Sequence, residues 1–211
     1  MARRSDHSRE ELAGLVREAA RAIAAIEGWR GVTMRAIATR IGYAPGSIYN
    51  AVGDLDAVLL RVNAGTLEDL GGWVEDAVRR CGPDAAVIQR ALAIADSYMR
   101  FVTENARLWA SVLERVPAAD SPVSDWYAAP RARLIEIVAA SIAPLYPEAK
   151  ARRRAVVALW AALQGVASLA AGGNLAFAAT NLDPRDIARS IVLRYLTGQE
   201  PADKKPRGAR H

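Results

Sequence analysis

Apolar residues recur at spacings of three and four along almost the whole chain, and no stretch alternates as a half-buried strand would. Leu12, Val16, Ala19, Ile23 and Ile26 set the pattern for a first helix over about 8–27. Ser8 stands where an N-cap belongs, Glu10 and Glu11 follow where the helix dipole favours them, and Gly28 ends the run. After the turn "WRGV", Thr33 caps a second helix whose apolar face is Met34, Ile37, Ala38 and Ile41. The pattern then stops at Gly42 and restarts behind Pro45, which leaves a third helix, 45–51, barely two turns long. A helix that short has little stability of its own, so its neighbours must hold it.

Asp54 caps a long helix, 55–80, carried by Leu55, Val58, Leu59, Val62, Leu70, Trp73, Val74 and Val78. Gly65, Gly71 and Gly72 lie inside it, each about 1 kcal/mol less favourable than Ala. Further helices are expected at about 84–103, 107–115, 123–142, 148–172 and 184–197, with "VPAADSPVS" as the clearest loop. Residues 199–211 are polar, contain prolines, are mostly basic, and are expected to be a disordered tail. The chain is therefore expected to be all-α, with a small N-terminal unit (1–55), a larger helical body (56–198) and the tail.

A helix, a tight turn and a short helix make a helix-turn-helix. Ala38 is small where two crossing helices must approach closely, and Gly42 suits the left-handed conformation that ends the first of them. Pro45 falls at the first helical position, where its missing N–H is harmless, and Gly46 has no side chain to hold a phosphate away. Ile48 and Val52 face the neighbouring helices, which leaves Ser47, Tyr49 and Asn50 free to enter a major groove.

Composition changes the picture in a few places. The chain has 211 residues, 52% of them hydrophobic, enough for a sizeable core. A formal charge of +5 and a pI near 9.7 are compatible with nucleic acid or an anionic surface. A lone cysteine, Cys81, excludes an internal disulfide. No apolar run follows the N-terminal arginines, so no signal peptide is expected. The stretch "AVVALWAALQGVASLAAGGNLAFAA" carries Gln164, Ser168 and Asn174 and is read as a buried helix, so no membrane span is expected and the protein is placed in the cytoplasm. The two histidines, His7 and His211, lie near the ends. The sequence has no paired-carboxylate motif, no metal-spaced cluster and no phosphate-binding glycine loop. No enzyme activity, cofactor or metal is expected. A small helical enzyme or a protein-binding adaptor remains the alternative, although an adaptor has no need of Tyr49 and Asn50 displayed behind a Gly-Ser turn.

At "TMRAIATRIGYAPGSIYNAVGDLDAVL" the chain resembles the TetR family of transcription regulators, in length and order over residues 9–60. The C-terminal "LWAALQGVASLAAGG" is similar to a Trp-x-Gly stretch in one group of the family's C-terminal domains, with Gln164 where His is common. The resemblance implies a DNA-binding three-helix bundle followed by a ligand-binding and dimerisation domain. It implies a homodimer on a pseudo-palindromic double-stranded DNA operator, released by an unknown small apolar effector. The candidate DNA-binding residues are Arg3, Arg4, Thr33, Arg35, Ala44, Pro45, Gly46, Ser47, Tyr49 and Asn50, with Arg40 as a further cation.

The chain departs from the family pattern at Ala44 (usually Ser or Thr), Pro45 (usually Lys), Val52 (usually Phe) and Leu55 (usually Lys). Two phosphate-seeking lysines are thus missing, and arginines elsewhere must supply the electrostatic affinity. The candidate effector residues are Trp73, Tyr98, Phe101, Trp109, Trp126 and Gln164, which serve equally well as core. In the family the last two helices form a four-helix dimer interface, which points to Leu159, Leu163, Val166, Ile187, Ile191 and Tyr195. The long helix is then the expected link between effector and DNA, with its glycines as possible bending points.

Overall fold

Ser8 and Glu11 open the first helix with a reciprocal pair of bonds: Ser8 Oγ accepts from the Glu11 N–H and the Glu11 carboxylate accepts from the Ser8 N–H at 2.6 Å. The backbone bond from Ser8 holds the Glu11 carboxyl below its ordinary pKa. In this computed structural model the described residues are 7–115, 125–171, 175 and 182–198, and they form nine α-helices with no strand among them. The loop 116–124, the tail 199–211 and the arginines Arg3 and Arg4 lie outside the described residues.

Helix α1 (Arg9–Glu27) ends at Gly28 and is followed by a single 3-10 turn. Helices α2 (Met34–Ile41), α3 (Pro45–Val52) and α4 (Leu55–Cys81) follow, with Thr33 and Asp54 capping α2 and α4 through their side chains. Val16, Ala20, Ile37, Ile48, Val58, Leu59 and Val62 fill the core that these four helices share. A second core lies in the body and holds Leu70, Val74, Met99, Phe101, Ile142, Leu159 and Val192. It is built by α4 with α5 (Val87–Glu104), α6 (Ala106–Glu114), α7 (Asp125–Ile142), α8 (Ala149–Ala171) and α9 (Pro184–Thr197). Helix α5 starts at Val87, later than the pattern suggests, because Gly82 at φ 82° and the turn behind it use up Pro83 to Ala86.

Helix α4 runs through both cores, with Val62 in the first and Leu67 in the second. Helix α8 is the one helix among the described residues long and apolar enough to cross a membrane. It packs against α5, α7 and α9, and buries Ala155, Val156, Leu159, Leu163 and Val166.

The glycines of α4 do not mark a tight helix crossing. A Cβ added at Gly71 or Gly72 would meet nothing within 4 Å, so neither overpacking nor strain opposes a side chain there. Gly71→Ala and Gly72→Ala are each expected to stabilise the fold by up to about 1 kcal/mol. Thermal melts followed by circular dichroism should rise by a few degrees for each variant. A lower melting temperature would mean that the bare backbone is needed for packing.

Candidate nucleic-acid interface and ligand cavity

Helix α3 is held by two side chains and exposes nearly everything else. Gly42 takes the left-handed conformation at φ 75°, and Pro45 occupies the first turn of α3 behind Ala44. Ile48 and Val52 are buried at 0% and 5% exposure. Ala44, Pro45, Gly46, Ser47, Tyr49 and Asn50 are all exposed, so the structure leaves these six candidates open to solvent. A Cβ at Gly46 would meet nothing within 4 Å, so the open backbone there faces solvent and not a neighbouring helix. Thr33 is exposed, but its hydroxyl is engaged in accepting from the Ala36 N–H at 3.0 Å. Arg35 and Arg40 are exposed on α2, and neither has an ion-pair partner among the described residues.

Tyr43, in the turn itself, is a residue the sequence reading passed over. Its hydroxyl lies 2.6 Å from His7 Nδ1, which ties the start of the chain to the turn. Its place directly after Gly42 was the available signal.

The N-terminal unit and the body meet through α6. Leu108 is buried in the N-terminal core, while its neighbour Trp109 is buried in the second. The Asn63 amide, fully buried on α4, donates to the carbonyls of Ser111 and Arg115 at 3.1 and 3.3 Å and so satisfies the end of α6. Glu114 accepts from Trp29 Nε1 at 3.2 Å and from Arg30 at 3.0 Å, and Arg115 pairs with Asp56 while lying over the Trp29 ring. Asn63 was legible as a polar residue inside the apolar stripe of α4. The Glu114 and Arg115 partners are remote in sequence and were not.

A cavity of about 310 Å³ opens inside the body. Its walls come from α4, α5, α6, α7, α8 and α9, among them Leu67, Ile94, Leu134, Val138, Ile142 and Leu163. Of the six effector candidates, Tyr98 and Trp109 line it. Gln164 stands behind both, accepting from the Tyr98 hydroxyl at 2.6 Å and from Trp109 Nε1 at 2.9 Å. Burial pushes the Tyr98 hydroxyl above its ordinary pKa, against the effect of the Trp160 and Trp109 indoles, so it stays protonated. Trp73 and Phe101 pack edge-to-face at 5.3 Å but are not part of the wall, and Trp126 is 41% exposed under Arg61. Phe101 faces the core, Trp126 the solvent and Trp73 a separate open cleft between α4, α5 and α9, because an aromatic at helical spacing records only burial, not which void a helix faces.

The dimer candidates divide in the same way. Leu159, Leu163 and Val166 lie in the core of the body itself, and Ile187 and Ile191 pack half-buried against it, whereas Tyr195 is exposed. The outward stripe of α8 is instead Val157, Trp160, Ala161, Gly165 and Leu169. Because α8 is apolar on all sides, its pattern could not say which stripe faces in.

Removing the acceptor behind the cavity wall should be costly. In Gln164→Leu the Tyr98 hydroxyl and the Trp109 N–H lose their shared partner, with an expected loss of about 1–3 kcal/mol. Urea denaturation should show a lower midpoint at unchanged slope. An unchanged midpoint would mean that both donors find another partner.

Residues 16–54 match the family model of the bacterial regulatory proteins of the tetR family, and residues 91–195 match that of the tetracyclin repressor-like C-terminal domain. No curated protein matches the chain. Among solved structures, the fold is similar to a protein of unknown function from Rhodococcus sp. RHA1 (17% identity, TM-score 0.75, 93% of this chain and 98% of that one). It is similar to the transcriptional regulator FadR from Bacillus subtilis in complex with stearoyl-CoA (12% identity, TM-score 0.63, 89% of this chain and 99% of that one). It is also similar to the TetR family transcriptional regulator PfmR from Thermus thermophilus (17% identity, TM-score 0.57, 88% and 98%). At these identities the structural likeness concerns the fold, while the two family models carry the assignment. With a helix-turn-helix unit matched by one model and a ligand-binding body matched by the other, the chain belongs to the TetR family and is a ligand-responsive, DNA-binding transcription regulator.

Proposed function

We propose that the protein is a cytoplasmic homodimeric repressor that holds a pseudo-palindromic operator and releases it when a small apolar molecule enters the body cavity. It needs no cofactor and performs no catalysis. Residues 1–55 read DNA and residues 56–198 bind the effector and the second subunit. Two α3 helices related by a two-fold axis match two half-sites. The outward apolar stripe of α8, with Trp160 at 49% and Leu169 at 48% exposure, is the surface offered to the partner. An exposed apolar stripe of that length is what subunit contact covers.

The observation that carries the switch is the position of α6. A ligand shifts a conformational equilibrium only by binding one state better than the other. Trp109, Val112 and Leu113 line the cavity, while Leu108, Glu114 and Arg115 touch the reading head. A ligand that displaces the wall of α6 therefore acts on the reading head through the same nine-residue helix. Helix α4, which also enters both cores, transmits the remainder, and Gly71 and Gly72 give it room to bend.

Binding assays on DNA fragments test the reading. The protein should prefer particular fragments, the DNA flanking its own gene included, and should lose affinity as salt rises. No salt-sensitive preference for any fragment would overturn it. Tyr49→Ala and Asn50→Ala should weaken operator binding and leave melting temperature and oligomeric state unchanged. A base-reading side chain is worth about 1–3 kcal/mol of discrimination, so equal losses on operator and random DNA would reduce Asn50 to a phosphate contact. Glu114→Gln, which weakens the tie to Trp29 and Arg30, should leave operator affinity nearly intact and blunt ligand-induced release. Full release from that variant would remove α6 from the mechanism.

A further inference from the structure

We propose that the cavity takes a small organic anion: an apolar body of about ten non-hydrogen atoms that carries one carboxylate, seated on Arg131. This deepens the reading of the cavity as the effector site and rests on it.

The size follows from the volume. A water-sized group takes about 30 Å³, so the 310 Å³ available holds about ten of them. The chemistry follows from what the walls leave unpaired. Leu67, Ile94, Leu134, Val138, Ile142 and Leu163 offer only hydrocarbon. Tyr98 and Trp109 contribute ring faces, and the proton of the Tyr98 hydroxyl and the N–H of Trp109 are both given to Gln164. A carboxylate placed that deep would find no free donor, and burying it unpaired is strongly unfavourable. The inner part of the ligand is therefore hydrocarbon.

The mouth is different. Leu113, Arg131, Val157 and Trp160 line the cavity and are exposed, so it opens between α6, α7 and α8. Among the described residues Arg131 is the one charged residue in the lining, and its guanidinium has no ion-pair partner there. Arg133, two positions on, shows the contrast: it forks onto Glu75 at 2.8 and 2.9 Å. Arg153, exposed one helical turn before Val157, adds positive potential on the α8 side. A planar guanidinium fork at the rim of an apolar cavity matches a carboxylate in shape as well as charge.

Isothermal titration with decanoate, 1-decanol and decylamine, on the full chain and below micelle-forming concentrations, tests this. Decanoate should bind about tenfold more tightly than 1-decanol, and decylamine most weakly. Arg131→Met, at an exposed position, should bring decanoate to the level of the alcohol, and Arg131→Lys should keep part of the preference. Ala95→Phe, which fills the cavity from α5, should abolish binding of acid and alcohol alike while circular dichroism stays unchanged. The proposal fails if the alcohol binds as well as the acid, if the preference survives in Arg131→Met, or if none of the three binds. It also fails if decanoyl coenzyme A binds more tightly than decanoate with no dependence on Arg131. Operator binding measured alongside separates the two readings. Arg131-dependent decanoate binding without DNA release would leave this site standing and remove the switch. Operator binding with no decanoate binding would remove this site and leave the DNA-binding reading standing.

Discussion

Leu108 and Trp109 follow one another on α6, yet one is buried with the reading head and the other with the cavity wall. A short helix in that position cannot move without disturbing both cores, since packed interiors do not deform smoothly. Its C-terminal end is held three ways: by the Asn63 amide on its carbonyls, by Trp29 and Arg30 on Glu114, and by Asp56 on Arg115. The surface ion pairs contribute little stability one by one. Their value lies in geometry, because they fix Trp29, Arg30 and the first turn of α4 to the end of the helix that walls the cavity.

The reading head shows how little is needed to hold a recognition helix. Ile48 and Val52 bury one side of α3, Gly42 and Pro45 set its direction, and the remaining side chains are left to the solvent. Two family lysines are absent at Pro45 and Leu55, so in the proposed DNA complex arginines on other elements would carry the charge. Arg35 and Arg40, exposed on α2 without a described partner, are well supplied for this. Arginine holds a phosphate in a fork where lysine offers a point charge, which favours a fixed register on the backbone.

Helix α8 carries three burdens on one cylinder. Leu159 and Leu163 face the core, Val157 and Trp160 rim the cavity, and Gly165 and Leu169 continue the outward stripe. The rim and the proposed subunit surface thus share side chains. A ligand at the mouth and a second subunit on the stripe would both be felt by Trp160. This arrangement explains why the helix is apolar all round although only part of it is buried in its own subunit.

The sequence by itself determined the helices, their caps and the exposed face of α3, because these depend on neighbours three or four positions away. Ser8, Thr33 and Asp54 cap where their side chains predict, and Gly42 and Pro45 break and restart the chain within four residues. The resemblance to a known family was equally local, since the motif lies in one continuous stretch. Tertiary structure decided what depends on the phase of one helix against another. An aromatic at helical spacing is apolar whether it meets a cavity, a core or a partner, so Trp73 and Trp109 read alike until α5 and α8 were in place. The same holds for α8, where the uninterrupted apolar run from Ala155 to Leu163 covers every side of the helix and leaves its rotation undetermined. Arg131 and Glu114 went unnoticed for the opposite reason. A charged residue on an exposed helix face gives no sign of what stands opposite, and only the packing of α7 and α6 put one at a cavity mouth and the other against the reading head.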